Sequence, residues 1–268
     1  MKLFLSTSIA LLLLQCSSLP TAELPVQSTV TGSPFEYKLD GKTYEGFFAL
    51  NSKTTGKRPG ILVIHEWWGV NDYPKQRAKQ LADMGYVAFV MDVYGKGILA
   101  KDHVEAGKLS SANGDPKILL KKIYKAIEIL KSNPNVDPNQ IGAIGYCFGG
   151  GGVIELALDG AELKGGVVSF HGFLGSKNLA TGVKKLKTKV LVHHGADDPF
   201  IPKTSVETFV KTITEAKAPV TFVTHPGAVH GFTRPGSEKH GLPGLAYNEK
   251  ADYASFESMK DFFAKNFK

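Results

Sequence analysis

From Gly60 onward the chain repeats one pattern: a short run of consecutive apolar residues, a segment with helical spacing, and then another run. The runs fall at 61–64, 87–91, 141–144, 166–170, 190–193 and 220–223. They are continuous rather than alternating, as strands of a parallel sheet are when both faces are covered. Between them, Asp72 is expected to cap a helix with Pro74 in its first turn and Gly85 just past its end. Asp115-Pro116 opens another, with Leu119, Leu120, Ile123, Ile127 and Leu130 on one face, and it closes before Asn133-Pro134. Further helices are expected at 150–158, 204–216 and about 247–267. Strand, crossover helix and strand, repeated this often, specify an α/β fold: a mostly parallel, doubly wound sheet with helices on both faces. Ahead of it, 35–39 and 44–50 flank Asp40-Gly41, a two-residue hairpin signal, so an antiparallel N-terminal edge is expected.

The first 22 residues stand apart from this plan. Met1-Lys2 precedes an apolar stretch, 3–14, that is too short and too weakly flanked for a membrane span, and 1–22 is expected to be an export signal. The remainder, 23–268, is then one domain, periplasmic or secreted, monomeric, and without a transmembrane span. Leu13-Leu14-Gln15-Cys16 carries a trace of a lipid-attachment pattern, but Gln15 stands where a small residue is wanted. Cleavage near Ser18 or Ala22 would release an unanchored protein. The chain has two cysteines; with Cys16 in the export segment, Cys147 has no internal partner, so a disulfide framework is excluded. The formal charge of +7 is spread along the chain, and no helix joins a basic stripe to stacking aromatics. Nucleic acid is therefore not an expected partner, and the balance fits solubility and some attraction of anionic substrates.

Cys147 is then either a buried inert thiol in a glycine-rich turn or a reactive one. Gly145-Tyr146-Cys147-Phe148-Gly149 follows an expected strand and precedes an expected helix, the context of a nucleophile elbow. Such a turn strains its middle residue and crowds both neighbours, which favours glycine at the two flanking positions. The thiol would project above the carboxyl ends of the strands, at a helix N-terminus that favours thiolate. Two loops supply partners. Gly195-Ala196-Asp197-Asp198-Pro199-Phe200 follows the run at 190–193, and Gly227-Ala228-Val229-His230 follows the run at 220–223. Nucleophile, acid and base occur in that order after successive strands, which is the α/β-hydrolase arrangement. His230 would take the thiol proton and later protonate the leaving group, while Asp198 would fix its tautomer. Asp197 competes for the acid's role; Asp198 is preferred for its spacing to Ile201-Pro202.

From about Phe35 to the C-terminus the chain resembles the dienelactone hydrolase family, whose marks are a cysteine elbow, a glutamate after an early strand and an HxFxR segment. Here these are Gly-Tyr-Cys147-Phe-Gly, His65-Glu66-Trp67-Trp68-Gly69-Val70-Asn71 and His230-Gly-Phe232-Thr-Arg234. The resemblance implies that Glu66 is a switchable carboxylate that contacts the resting cysteine and helps remove its proton when an anionic substrate binds. It places the oxyanion hole at the backbone amides of Phe148 and Trp67, with Trp68 beside them as an apolar wall. It also implies two cations for a substrate carboxylate. Arg234 matches one; Lys96 stands where the other is an arginine, keeping the charge but losing the two-pronged hydrogen-bonding fork.

Other patterns carry less. His65-Glu66 lacks the second histidine of a zinc protease, because Gly69 occupies its place. The glycines at 149–152 lack the lysine and hydroxyl of a phosphate loop. His193 and His194 lie near Asp197 and Asp198 without a third ligand pattern, so no metal is expected, and His171 is expected to line the site. The expected protein is a cysteine hydrolase of ester or lactone bonds, acting on a small, possibly anionic, molecule without a cofactor. A broader carboxylesterase or thioesterase for uncharged acyl groups, and a non-catalytic binding protein on the same fold, are the alternatives.

Overall fold

The computed structural model describes residues 29–267; the expected export segment 1–22 and its Cys16 lie outside them. An N-terminal hairpin, β1 (Val30–Leu39) and β2 (Lys42–Asn51), turns at Asp40-Gly41, where both residues have positive φ. The strands β3 (Arg58–Ile64), β4 (Val87–Met91), β5 (Val136–Tyr146), β6 (Gly166–Phe170), β7 (Val190–Gly195) and β8 (Val220–His225) follow, separated by helices. These helices are α1 (Asp72–Asp83), α2 (His103–Asn113), α3 (Pro116–Ser132), α4 (Phe148–Leu158), the short α5 (Leu179–Gly182) and α6 (Lys203–Glu215); α7 (Glu249–Asn266) ends the chain. The eight strands form one sheet in the order β1-β2-β4-β3-β5-β6-β7-β8. The β1/β2 and β2/β4 pairs are antiparallel and the others parallel. The expected α/β-hydrolase architecture, with its antiparallel N-terminal edge, is what the chain adopts.

The continuous apolar runs are explained by the two cores. Leu62 and Ile64 of β3 face one side with Phe89, Ile123, Leu130 and Val153; Ile61 and Val63 face the other with Val90, Leu81 and Phe263. Successive side chains of a strand point to opposite faces, so covering both faces requires every position to be apolar.

Three local features differ from expectation. The helix at 72 is capped by Asn71, whose side chain accepts from the Tyr73 amide at 3.1 Å, and Asp72 is its first helical residue. The extended backbone of Asn71 suits a cap, and the Asp72 carboxylate favours the positive helix end from within the first turn. Strand β5 begins upstream of Ile141, across Pro138, with a register shift opposite 58–60. Helix α2 lacks an apolar stripe, burying only Ala106, so periodicity does not reveal it. Its signal is a capping pattern: Asp102 accepts from the Glu105 amide at 2.8 Å while the Glu105 side chain accepts from the Lys101 amide at 2.9 Å. Among the described residues no helix is long and apolar enough to cross a membrane.

The closest backbone packing lies where β5 turns into α4. A Cβ placed on Gly149 would stand 2.3 Å from the carbonyl oxygen of Ile64, and one on Gly145 would stand 2.0 Å from the carbonyl oxygen of Gly149. These are contacts with backbone, which has no rotamer to yield. We therefore expect Gly149→Ala to destabilise by about 3 kcal/mol or more, read as a lower midpoint in urea unfolding. Gly107→Ala in α2, where nothing lies within 4 Å, should stabilise by roughly 0.5–1 kcal/mol. Similar effects of the two substitutions would contradict this account of the turn.

Candidate active site

Because β3 to β8 run parallel, the loops after them open on one edge of the sheet. After β3 the chain crosses to β4 on one side and later to β5 on the other, so the crevice between β3 and β5 is where the winding reverses. Glu66 and Cys147 leave the two strands at that point.

Cys147 has φ 53° and ψ −113°, a left-handed conformation that a side-chain-bearing residue rarely adopts. Its amide donates to the Phe170 carbonyl at 3.0 Å and its carbonyl accepts from the Gly151 amide at 3.1 Å, which holds the strained residue in place. The sulfur stands 3.1 Å from Nε2 of His230, and Nδ1 of His230 stands 2.8 Å from Oδ2 of Asp198. A carboxylate only accepts, so Nδ1 donates and Nε2 faces the sulfur. The second Asp198 oxygen accepts from the Phe200 amide at 2.9 Å. Asp197 turns elsewhere, accepting from the Gly227 amide at 2.9 Å and so bracing the histidine loop. Of the two neighbouring aspartates, the structure brings Asp198 to the imidazole.

Burial alone would lower the affinity of His230 for its proton. The negative charge at Cys147, the hydrogen bonds to Asp198 and Cys147, and the Asp198 charge outweigh it, lifting the pKa to about 10. These surroundings favour the protonated form of His230.

Glu66 is 4% exposed, and its Oε2 accepts from Nη1 of Arg234 at 2.9 Å. Burial raises its pKa, and the Arg234 charge and hydrogen bond oppose the rise. The structure therefore pairs Glu66 with a cation rather than with Cys147, as a desolvated carboxylate demands. Arg234 in turn lies over the Trp68 ring, its Cζ 5.9 Å from the centroid, and Trp68 stacks on His240 at 4.1 Å. The 234–244 loop thus borders the cluster through His240. Trp67 and Phe148 are half-buried at the rim, and the Trp67 carbonyl accepts from the Tyr94 hydroxyl at 3.0 Å.

Lys96 is not brought to this cluster. Its ammonium pairs with Glu36 of β1 and lies 3.8 Å from Glu45 of β2, on the hairpin. The two acids lie on strands outside the repeating pattern, and neither adjoins Lys96 in the chain. His171 follows β6 and is fully buried, with its ring 5.1 Å from that of His230. Burial, then the His230 charge, hold its pKa well below the usual histidine range. Thr233, buried between His230 and Arg234, was not singled out by sequence, although its place inside the HxFxR segment could have flagged it. Nδ1 of His193 pairs with Nε2 of His225 at 3.1 Å, and no cluster of ligands for a metal ion exists among the described residues.

A model of the dienelactone hydrolase family matches residues 45–267. A dienelactone hydrolase-like promiscuous phosphotriesterase, P91, from metagenomic libraries is similar in structure, with 32% identity and a TM-score of 0.83 over 89% of this chain and 99% of its own. A solved structure described as m3DLH has 31% identity and a TM-score of 0.84, over 90% of this chain and 100% of its own. In sequence, a protein of Aquifex aeolicus (strain VF5) named "Putative carboxymethylenebutenolidase" is 26% identical over 237 residues, 87% of this chain and 97% of its own.

The ring of His230 should titrate near pH 10 when followed by NMR. The midpoint should fall in Asp198→Asn and in Cys147→Ser, because each removes negative charge that raises it. A midpoint near the ordinary histidine value in the unsubstituted protein would contradict this electrostatic picture.

Proposed function

We propose, from the premise that the chain belongs to the dienelactone hydrolase family, that it hydrolyses carboxylic ester or lactone bonds with Cys147 as nucleophile, His230 as acid and base, and Asp198 as the residue that orients His230. The observation that carries this reading is the unbroken contact from Asp198 through His230 to the Cys147 sulfur, 2.8 and 3.1 Å, on the carboxyl edge of a parallel sheet.

The thiolate attacks the carbonyl carbon and the carbonyl π electrons move to oxygen. Among the described residues no protein acceptor pairs with the amides of Trp67 and Phe148, which makes them candidates to hold that oxyanion; one such donor typically contributes about 3 kcal/mol. The intermediate collapses, the C–O bond breaks, and Nε2–H of His230 protonates the departing alkoxide, leaving a thioester. Neutral His230 then takes a proton from water, whose oxygen attacks the thioester. Collapse releases the acid and restores thiolate and imidazolium. In a lactone the departing hydroxyl stays attached to the acid. Glu66 acts as modulator: a substrate carboxylate would compete with it for Arg234, and the released Glu66 carboxylate, near His230, would favour the imidazolium–thiolate pair over imidazole and thiol.

Uncharged esters are the favoured substrates within this class, because Arg234, the cation that lies in the cluster, is already engaged by buried Glu66, and Lys96 stands on the hairpin beside Glu36 and Glu45. Export through removal of 1–22, and a single domain over 23–268, belong to the same proposal; mass spectrometry of the mature N-terminus tests the first.

Cys147→Ala should lower kcat for p-nitrophenyl acetate by about a thousandfold or more while leaving the unfolding midpoint nearly unchanged. Retained turnover would end the assignment. Lys96→Ala should change kcat/KM by less than about twofold for both neutral and carboxylate-bearing esters, since exposed ion pairs contribute little. A selective loss on the carboxylate-bearing ester would place Lys96 in recognition and favour the anionic lactone instead.

A further inference from the structure

Thr233 meets two other buried polar side chains. Its hydroxyl stands 2.6 Å from the Tyr73 phenol oxygen and 2.8 Å from Nε2 of His171. Arg77, one turn along α1 from Tyr73, donates from Nε to that phenol at 3.3 Å, and from Nη2 to the Thr233 carbonyl and to Asp252 of α7. Aromatic rings enclose the guanidinium: its Cζ is 5.3 Å from the Tyr73 centroid, 5.8 Å from Tyr146 and 5.6 Å from Phe256. Tyr146 immediately precedes Cys147. One buried arginine therefore touches both the strand end that presents the sulfur and the loop that presents the imidazole.

Donor chemistry joins the contacts into one chain. A guanidinium only donates, so the Tyr73 oxygen accepts from Arg77, and the Tyr73 hydroxyl reaches both the Thr233 carbonyl at 3.2 Å and the Thr233 hydroxyl at 2.6 Å. The Thr233 hydroxyl in turn bridges that phenol and Nε2 of His171. A neutral His171 can stand edge-on to the protonated His230, the rings at 67°, without charge repulsion. Removing one buried hydroxyl from such a chain leaves its neighbours unpaired, and they must move to find partners.

We propose that Arg77, Tyr73, Thr233 and His171 form a positioning chain for the 230–234 segment, fixing the height of the His230 ring over the Cys147 sulfur and the reach of Arg234 to Glu66. None of the four touches the reacting atoms, so they act through His230 and Arg234. The proposal rests on the hydrolase reading above only for its kinetic readout. The groups that face His230 are Cys147 at the elbow, Asp198 after β7, Glu66 after β3, His171 after β6 and His194 at the end of β7. Because the attraction of Cys147 and Asp198 for the imidazolium falls with distance, a slack loop should make the ring easier to deprotonate.

The test compares Tyr73→Phe, Thr233→Val, their double variant and Thr233→Ser, using p-nitrophenyl acetate hydrolysis and NMR titration of His230. Each of Tyr73→Phe and Thr233→Val should lower kcat on the order of tenfold, as misplaced catalytic groups do, with KM within about twofold. Each should also move the alkaline limb of the rate profile and the His230 midpoint to lower pH. The double variant should lose no more than the worse single one, because both break the same chain, and Thr233→Ser should retain most of the rate. A lower unfolding midpoint with unchanged kcat and His230 titration would reduce the chain to structural support and overturn the proposal, as would strictly additive losses. If the unsubstituted protein hydrolysed nothing, the hydrolase reading would fail, and the substrate-free titration would still decide this one.

Discussion

Everything at the site is placed by one close contact between backbones: Gly149 against the carbonyl of Ile64, with Gly145 against Gly149 beneath it. The contact brings the first turn of α4 onto β3 with no side chain between. Cys147 is left to bridge β5 and α4 in a single residue, at positive φ. The strain in that residue, of order 1–3 kcal/mol, is offset by the packing on both sides. Its consequence is a sulfur that stands above the sheet edge at a fixed place, where the loop after β8 brings His230 to it.

Buried charge is the second organising principle. Asp198 meets His230, Glu66 meets Arg234, and Asp252 meets Arg77, each pair with a hydrogen bond as well as opposite charge. Replacing such a pair with apolar residues can be nearly neutral, but removing one partner strands the other in a poor solvent. The pairs therefore constrain the segments that carry them more firmly than their net contribution to stability suggests. They also interlock: Arg234 follows Thr233, and Thr233 is held by the same Arg77 that meets Asp252. The pairing of Glu66 with Arg234 follows from the same principle, since the thiol offers a buried carboxylate less than a guanidinium does.

Much of this is legible in the sequence. Continuous apolar runs announced a parallel sheet because both its faces are covered, and Asp40-Gly41 announced the hairpin because only certain residues accept positive φ at a tight turn. Gly145 and Gly149 marked the elbow for a steric reason visible in the letters alone. Other features left weaker marks. Helix α2 has a capping pattern but no apolar stripe, so it escapes a search for periodicity. Asn71 and Asp72 are both competent caps, and only the backbone angles distinguish them. Position after a strand alone does not separate Asp197 from Asp198, because adjacent residues in a loop can point in opposite directions; the spacing to Ile201-Pro202 favours Asp198, and it is Asp198 that meets His230.

The sequence by itself determined the layered α/β plan, the order of cysteine, aspartate and histidine along it, and the crowding that demands glycine around Cys147. These are properties of local residue types and their spacing, which survive any arrangement of distant segments. The tertiary structure alone decided that Lys96 stays on the hairpin with Glu36 and Glu45, that Glu66 takes Arg234, and that Tyr73 and Arg77 of an early helix hold Thr233 of a late loop. Each of these depends on which side chains meet across long stretches of chain. Burial makes such meetings selective, because a polar group removed from water must find the partner that the fold puts within reach.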